Sequence, residues 1–560
     1  MPSGKGSSTR FRGGRYHMRF ELPKEEFVLP SGIVASTPDI IKRVAEIEEL
    51  GVITTKSIGS AERDGYKEPI IAGVGGSLVN AVGLSNPGLD AHLEEIKNVY
   101  PLGKVLMTSI FGGTAGEFAE LASKVEKYTD WIELNLSCPH ATGYGAAIGA
   151  SPDIVAEVVS AVRGATDLPI FAKIVPSIGC AGLIAKRAVE AGADGITAVN
   201  TVGPLAFTDG ITGNALLSNV SGGLSGRAIR EVALRCVREV RERVSVPIIG
   251  MGGIYTPADV EAFRLAGASL FGVGTALSGM STEEVRDYFR ALSSHNPRIA
   301  HTAEEPPLSY RMFQVKEAWG SVMRVLVLDG SMDAIPGQFV FIWVPGIGEK
   351  PFSLASRNPI TVLVKNVGPV TSALASLEEG STLLVKGPYG NGYRPSGSVC
   401  LVGGGSGVAP LHFIASEFSN ETKVAFIGGR NSSELPLYDD LCDHVEVRAA
   451  TEDGSLGKTG LVTDILDIGG FAGSEFFNCG PEAMLVKVAE LESRVTDANR
   501  IYCAIERYTK CGIGICGSCA MDGYRICVDG PVFPYSVLRS GIDFGRCKRK
   551  ASGRRVPINA

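Results

Sequence analysis

"PIIGMGGIYTPADVEAFRLAGASLFGVGTA" (Pro247–Ala276) holds two short apolar runs, each closed by glycines, with an amphipathic stretch between them. Apolar runs separated by helical patterns make parallel strands with crossover helices. Working outward, "GVITT", "VLMTSI", "WIELNLS", "IFAKIV" and "GITAVN" repeat the theme, and an earlier run lies near Phe27–Gly32. Eight units predict a closed TIM (β/α)8 barrel over residues 21–292, with an open doubly wound sheet as the alternative. Working groups in such a barrel stand at the C-terminal strand ends, and phosphate is often held after strands seven and eight. Here those loops are "GMGGI" (Gly250–Ile254) and "GVGTA" (Gly272–Ala276). Glycine lets backbone N–H groups approach a phosphate. Gly252, Gly253, Gly274 and Thr275 are therefore expected to hold a phosphorylated ligand or cofactor; tight turns are the plainer explanation.

The chain has 560 residues, 44% hydrophobic and 20% charged, with a net charge of −6. That length implies several domains, and the charge argues against a general nucleic-acid binder. No apolar run reaches the ~18 residues of a membrane span. The basic N-terminus lacks the apolar core of a secretory signal, so residues 1–20 are read as a disordered extension and the chain as cytoplasmic. The basic run "RCKRKASGRR" near the C-terminus is expected to be a solvated tail. Residues 293–310, aperiodic and containing Pro-Pro, read as a linker. Over 311–395 short alternating strands predict a small antiparallel barrel. Over 396–500 the strand-helix rhythm returns as an α/β nucleotide domain, with "GGGSGVAP" (Gly403–Pro410) suited to a pyrophosphate through Gly405 and Gly407.

Residues 501–550 carry "CGIGICGSCAMDGYRIC" (Cys511–Cys527), four of the chain's twelve cysteines. The spacing C-x4-C-x2-C is that of plant-type [2Fe–2S] ferredoxins, which add a more distant fourth ligand. Cys511, Cys516, Cys519 and Cys527 are the expected cluster ligands; zinc, or free or bridged thiols, remain the other possibilities. A one-electron centre beside a nucleotide domain implies a flavin. The second barrel offers "KPFSLAS" (Lys350–Ser356) and "GPVTSAL" (Gly368–Leu374) as strand-end segments for a flavin's ribityl and phosphate groups, placing Lys350, Pro351, Phe352, Ser353, Gly368, Thr371 and Ser372 at that flavin.

Residues 311–547 resemble the electron-transfer subunit of NAD-linked dihydroorotate dehydrogenase, a ferredoxin-reductase-type flavoprotein, with "NCGPEAML" (Asn478–Leu485) as the nicotinamide-side segment. The gap of seven residues before Cys527 is shorter than that family's. "ELNLSCPH" (Glu133–His140) closes the fourth strand and resembles the N-x-S-C-P-N segment of class 1 dihydroorotate dehydrogenases. A buried core thiol is the bland reading of Cys138. The resemblance implies Cys138 as general base, with Lys56, Asn135 and Ser137 beside it. It further implies Asn80, Val82, Gly83, Leu84, Asn200 and Thr201 at the substrate. Lys56, Lys173, Gly223, Ser225 and Gly226 would join the glycine loops at FMN.

His140 stands where the family has Asn, a form shared with dihydropyrimidine dehydrogenases. The expectation is oxidation of L-dihydroorotate with FMN, a [2Fe–2S] cluster, FAD and NAD, in a homodimer formed through the barrel. Uracil or thymine as substrate, or a non-catalytic electron-transfer module, are the competing readings. Arg430, after the second strand of the nucleotide domain, could meet a 2′-phosphate and leaves NAD or NADP open.

Overall fold

A computed structural model describes residues 20–136, 149–294 and 307–558. The first body is a closed parallel barrel of β1 (Phe27–Leu29), β2 (Leu50–Thr54), β3 (Val105–Ile110), β4 (Trp131–Asn135), β5 (Ile170–Lys173), β6 (Gly195–Ala198), β7 (Ile248–Met251) and β8 (Leu270–Gly272). β1 pairs with both β2 and β8, which closes the ring and removes the open-sheet alternative. Each expected apolar run is one of these strands.

Alternation along the strands sorts their side chains. Phe27, Leu106, Ile132, Leu134, Ile170 and Ile196 join the cluster shared with the helices. Val52, Met107, Trp131 and Phe171 pack together inside the barrel instead. Trp131 and Phe171 stack with centroids 4.9 Å apart, and Phe20 meets both rings edge-on. Gly195 makes room for them: a Cβ there would lie 2.2 Å from the Phe171 ring. Continuing by twos toward the C-terminal ends, the same inward positions become Thr54, Ser109, Glu133, Asn135, Lys173 and Thr197, all buried. The barrel thus has an apolar floor and a polar upper layer, set by period two alone.

An antiparallel sheet of Ile71–Val74, Ser77–Asn80, Ser221–Gly226 and Val202–Ala206 stands beside the mouth. The second body is a closed six-stranded antiparallel barrel running from Arg311 to Tyr389. "KPFSLAS" was expected only as a strand end; it lies inside a full strand, Gly348–Arg357, paired with Phe339–Val344 through Phe341↔Pro351. Pro351 hid it, because proline breaks the pattern of a strand interior.

The third body is a seven-stranded sheet that adds Ile501–Ala504 and, antiparallel to it, Val532–Pro534. The cysteine segment is thereby stitched into the nucleotide sheet. The expected linker falls largely on residues outside those described. The basic C-terminal run is not a solvated tail: Cys547–Arg549 and Arg555–Pro557 form a hairpin, and Arg549 and Ser552 are buried. Carboxylates of the first barrel neutralise and bury it.

Candidate active site

The C-terminal ends of the barrel strands open into a cavity of about 220 Å3. Asn135 and Lys173 bring the polar upper layer to it; Asn200 and Thr201 enter from the loop after β6. Asn80, Val82, Gly83 and Leu84 form one side, from the strand Ser77–Asn80 and its following loop. Gly252, Gly253, Gly274 and Thr275 form the phosphate-loop end, joined by Ser225 and Gly226. Gly223 instead pairs with the side sheet, and its carbonyl accepts from Asn80 Nδ2 at 3.3 Å. Ser137, Cys138 and His140 lie outside the described residues.

Hydrogen bonds fix the floor of this cavity. Asn135 Nδ2 donates to Ser57 Oγ at 2.9 Å, and Ser57 bonds the hydroxyls of Ser31 and Ser109, each at 2.9 Å. Ser109 donates to Glu133 at 2.9 Å, and Glu133 pairs with Lys173 at 3.6 Å. The motifs pointed to Asn135 and Lys173 but not to Glu133 or the serines. Glu133 shares inward parity with Asn135, which is the signal that could have found it.

Among the described residues the cavity wall carries two lysines, Lys56 and Lys173, and no carboxylate. That chemistry suits an anionic ligand. At the loop end Ser225 and Thr275 hydroxyls sit 3.0 Å apart beside glycine backbone. A Cβ on Gly226 would press on Tyr255, Ser77 and Thr275 at 3.2–3.3 Å. This bare, hydroxyl-lined cradle fits the phosphate of a flavin mononucleotide. Burial pushes the Lys56 ammonium down to about 8.

The far wall comes from the other end of the chain. Ile515 and Cys516 line the same cavity. Lys56 Nζ donates to the carbonyl of Cys516 and to Ser85 Oγ, both at 3.4 Å. Ile515 and Ile513 carbonyls accept from Val34 N and Gly279 N at 3.3 and 2.9 Å. Gly517 has φ +68, and a Cβ there would fall 1.5 Å from Ser36 Oγ, so only glycine fits between loop and barrel. On the loop's other side Gly512 abuts the Phe341 ring of the second barrel.

All four expected ligand cysteines are buried in this loop. Hydrogen bonds from Cys516 and Cys527 hold the Cys511 thiol well below its usual range, while those two donors are pushed up. Cys519 contacts Cys527 as well. The sulfurs are thus in mutual contact, and among the described residues no three His, Cys, Asp or Glu close on a single ion. Cys527, and not the hairpin's Cys547, joins the other three, despite the short gap. Gly514 N donates to Cys527 Sγ at 3.2 Å, a backbone donor of the kind that cluster sulfurs accept. Four adjoining thiols with such a donor fit a two-iron cluster.

Two families match the sequence: dihydroorotate dehydrogenase over residues 17–290, and the iron-sulfur cluster binding domain of dihydroorotate dehydrogenase B over residues 506–539. The catalytic subunit of dihydroorotate dehydrogenase B (NAD(+)) from Pyrococcus abyssi is 44% identical over 257 residues, which is 45% of this chain and 84% of that protein. Its counterpart from Methanocaldococcus jannaschii is 43% identical, over 45% of this chain and 84% of that protein. A probable electron transfer subunit of the same enzyme from Pyrococcus abyssi is 44% identical over 248 residues, 44% of this chain and 97% of that protein.

The chain belongs to the dihydroorotate dehydrogenase B family. In this family member, sequences similar to both subunits stand in one polypeptide.

The nucleotide half of this family member has a topological switch point of its own. The strand Val399–Gly404 lies between Thr422–Gly429 on one side and Glu475–Cys479 on the other, so strand order reverses there. Ligands of open α/β sheets bind at such switch points. Gly405 and Gly407 bound the short turn after the first strand, and a Cβ on Gly407 would lie 2.1 Å from Cys479 O. "GGGSG" and "NCGPE" therefore touch.

Lys350, Pro351, Phe352 and Ser353 lie on the strand Gly348–Arg357, where Ser353 is exposed and Lys350 pairs with Glu68 of the first barrel at 3.3 Å. Gly368 caps the helix Pro369–Ala375; its N–H and that of Val367 donate to Thr371 Oγ1 at 2.9 Å, and Ser372 donates to Asn366 at 2.7 Å. Arg430 is engaged by Glu434 through both backbone and side chain, which holds that carboxyl down at about 2.

Among the described residues no helix is long and apolar enough to cross a membrane.

Proposed function

We propose that the chain oxidises L-dihydroorotate to orotate at the mouth of the first barrel and delivers the electrons to NAD+ at the switch point of the nucleotide sheet. The observation that carries this reading is the shared wall: Lys56 faces the cavity and bonds the carbonyl of Cys516, which lines the same cavity. When bound, FMN supplies a two-electron acceptor, the [2Fe–2S] cluster a one-electron relay, and FAD the return to two-electron chemistry with NAD+.

Cys138 removes the C5 proton of the substrate as general base. A free thiol ionises near ~8.5, so with a thiol as base turnover should rise with pH. Ser137, its neighbour in the sequence, belongs with it in the catalytic set, and His140 with the substrate-binding residues. Asn80, Asn135 and Asn200 offer amide donors and acceptors to the pyrimidine edge, with Thr201, Val82, Gly83 and Leu84 shaping the pocket. Lys56 and Lys173 supply positive charge for the substrate carboxylate and the reduced flavin. Ser225, Gly226, Gly252, Gly253, Gly274 and Thr275 hold the FMN phosphate.

Lys350 to Ser353, with Gly368, Thr371 and Ser372, hold FAD; Gly405 and Gly407 face the dinucleotide. Cys511, Cys516, Cys519 and Cys527 hold the cluster. Because Glu434 already engages Arg430, a 2′-phosphate gains little there, which favours NAD over NADP. The division of work follows residues 21–292, 311–395, 396–500 and 501–550. The family resemblance also supports a homodimer through the first barrel and a cytoplasmic location.

The test is anaerobic. L-dihydroorotate added to the holoenzyme should bleach the flavin, and NAD+ should restore it. Bleaching by dihydrouracil instead would assign the barrel to pyrimidine breakdown. No response to either would leave a flavin–cluster reductase.

A further inference from the structure

We propose that the C-terminal hairpin is a latch over the seam between barrel and cysteine loop, and that its Arg549 is a positioning residue for Lys56 and Cys516. The hairpin pairs Cys547–Arg549 with Arg555–Pro557. The Arg549 side chain, only 4% exposed, grips both oxygens of Glu95 at 2.8 and 3.2 Å and reaches Asp39 at 3.4 Å. Its other contact, to Gly553 O at 3.0 Å, braces the turn of the hairpin itself. Ser552, fully buried, donates to Glu62 at 2.7 Å, and Arg554 pairs with the other Glu62 oxygen at 2.9 Å. Three acidic residues on three separate barrel segments thus fix one turn.

That turn reaches the active site. Ala551 O accepts from Ser85 Oγ at 2.9 Å. Ser85 Oγ in turn accepts from Lys56 Nζ at 3.4 Å, and Lys56 also donates to Cys516 O. A continuous donor chain therefore runs from the loop that carries a cluster ligand, through Lys56 and Ser85, to the hairpin turn. Between the hairpin and the loop remains a gap of about 20 Å3, lined by Arg549, Ser552, Gly517 and Cys516. It has room for about one water, so the hairpin closes this side of the cysteine loop.

The proposal rests on Cys516 as a cluster ligand and not on the identity of the substrate. Its test is the rate at which the purified holoenzyme loses its visible cluster absorbance in ferricyanide and EDTA. Arg549→Ala and Ser85→Ala should each bleach about tenfold faster, the scale of one or two hydrogen bonds lost from a locally opening segment. Because both act through one chain of contacts, the double variant should bleach no faster than the faster single one. A wild-type rate in Arg549→Ala, or multiplied rates in the double variant, overturns the latch. Should Arg549→Ala not accumulate, Glu95→Gln takes its place in the same cycle. Dihydroorotate added to the same wild-type sample tests the proposed function separately. Failure to bleach flavin removes that reading and leaves the cluster comparison intact.

Discussion

In the barrel mouth Glu133 meets Lys173 across neighbouring strands at 3.6 Å, whereas in the C-terminal seam Arg549 meets Glu95 at 2.8 Å across 454 positions of chain. The first pair is a product of local pattern. Both residues occupy inward positions of adjacent strands, on the same parity as the apolar floor beneath them. The second pair is a product of assembly. It exists only because the cysteine segment folds back on the barrel and brings the last residues over the first helices. Chemistry in this chain is written in short periodic stretches; the joint between its two halves is written in side chains that have no pattern until they meet.

The mouth should fail chemically before it fails structurally. Cys138→Ala should lower dihydroorotate:NAD+ turnover by roughly 10^2–10^4-fold, the usual contribution of a positioned base. Flavin and cluster absorbance should be retained. Near-normal turnover in that variant would remove Cys138 from the mechanism.

Breaking the mouth's buried ion pair should cost folding free energy. Lys173→Met leaves the buried Glu133 without its cation, with Ser109 its remaining donor among the described residues, and should destabilise the barrel by about 3–5 kcal/mol. Urea titration followed by protein fluorescence reads this. A loss below about 1 kcal/mol, the value of an exposed pair, would erase the distinction between mouth and seam.

The seam has a pH limit of its own. His92 is buried on the helix that carries Glu95, and burial lowers it to about 4. The unfolded chain, with an ordinary His near ~6.5, binds the proton more readily in that window. Stability should therefore fall as pH drops from about 6.5 toward 4, by up to about 3 kcal/mol. His92→Gln should flatten the acid limb of the melting-temperature profile; an unchanged limb would assign it to other groups. Smallest of all, Arg554→Ala loses a half-exposed partner of Glu62 and should leave the melting temperature close to that of the parent chain. A drop as large as that of Arg549→Ala would mean that the hairpin's rim, and not its buried Arg549, holds the seam.

The same contrast explains what was legible beforehand. All eight barrel strands stood out as apolar runs, because parallel strands are buried on both faces. Lys56, Asn80, Asn135, Lys173 and Asn200 were found through motifs and do converge on one cavity. Cys516 was read for the cluster alone, and its neighbour Ile515 was not singled out. That they also wall the barrel cavity depends on a fold-back no local spacing encodes. The run "RCKRKASGRR" looked like a solvated tail because charge runs usually are, and its partners Asp39, Glu62 and Glu95 lie in the first hundred residues. Strand Gly348–Arg357 was masked by a proline within it.

The hairpin also sets an order of manufacture. Translation delivers the barrel, with Asp39, Glu62 and Glu95, before the cysteine loop, and the loop before Arg549. Until the hairpin follows, the cysteine loop lacks its cover. If the hairpin is the latch proposed above, iron and sulfide reach the loop before the hairpin docks.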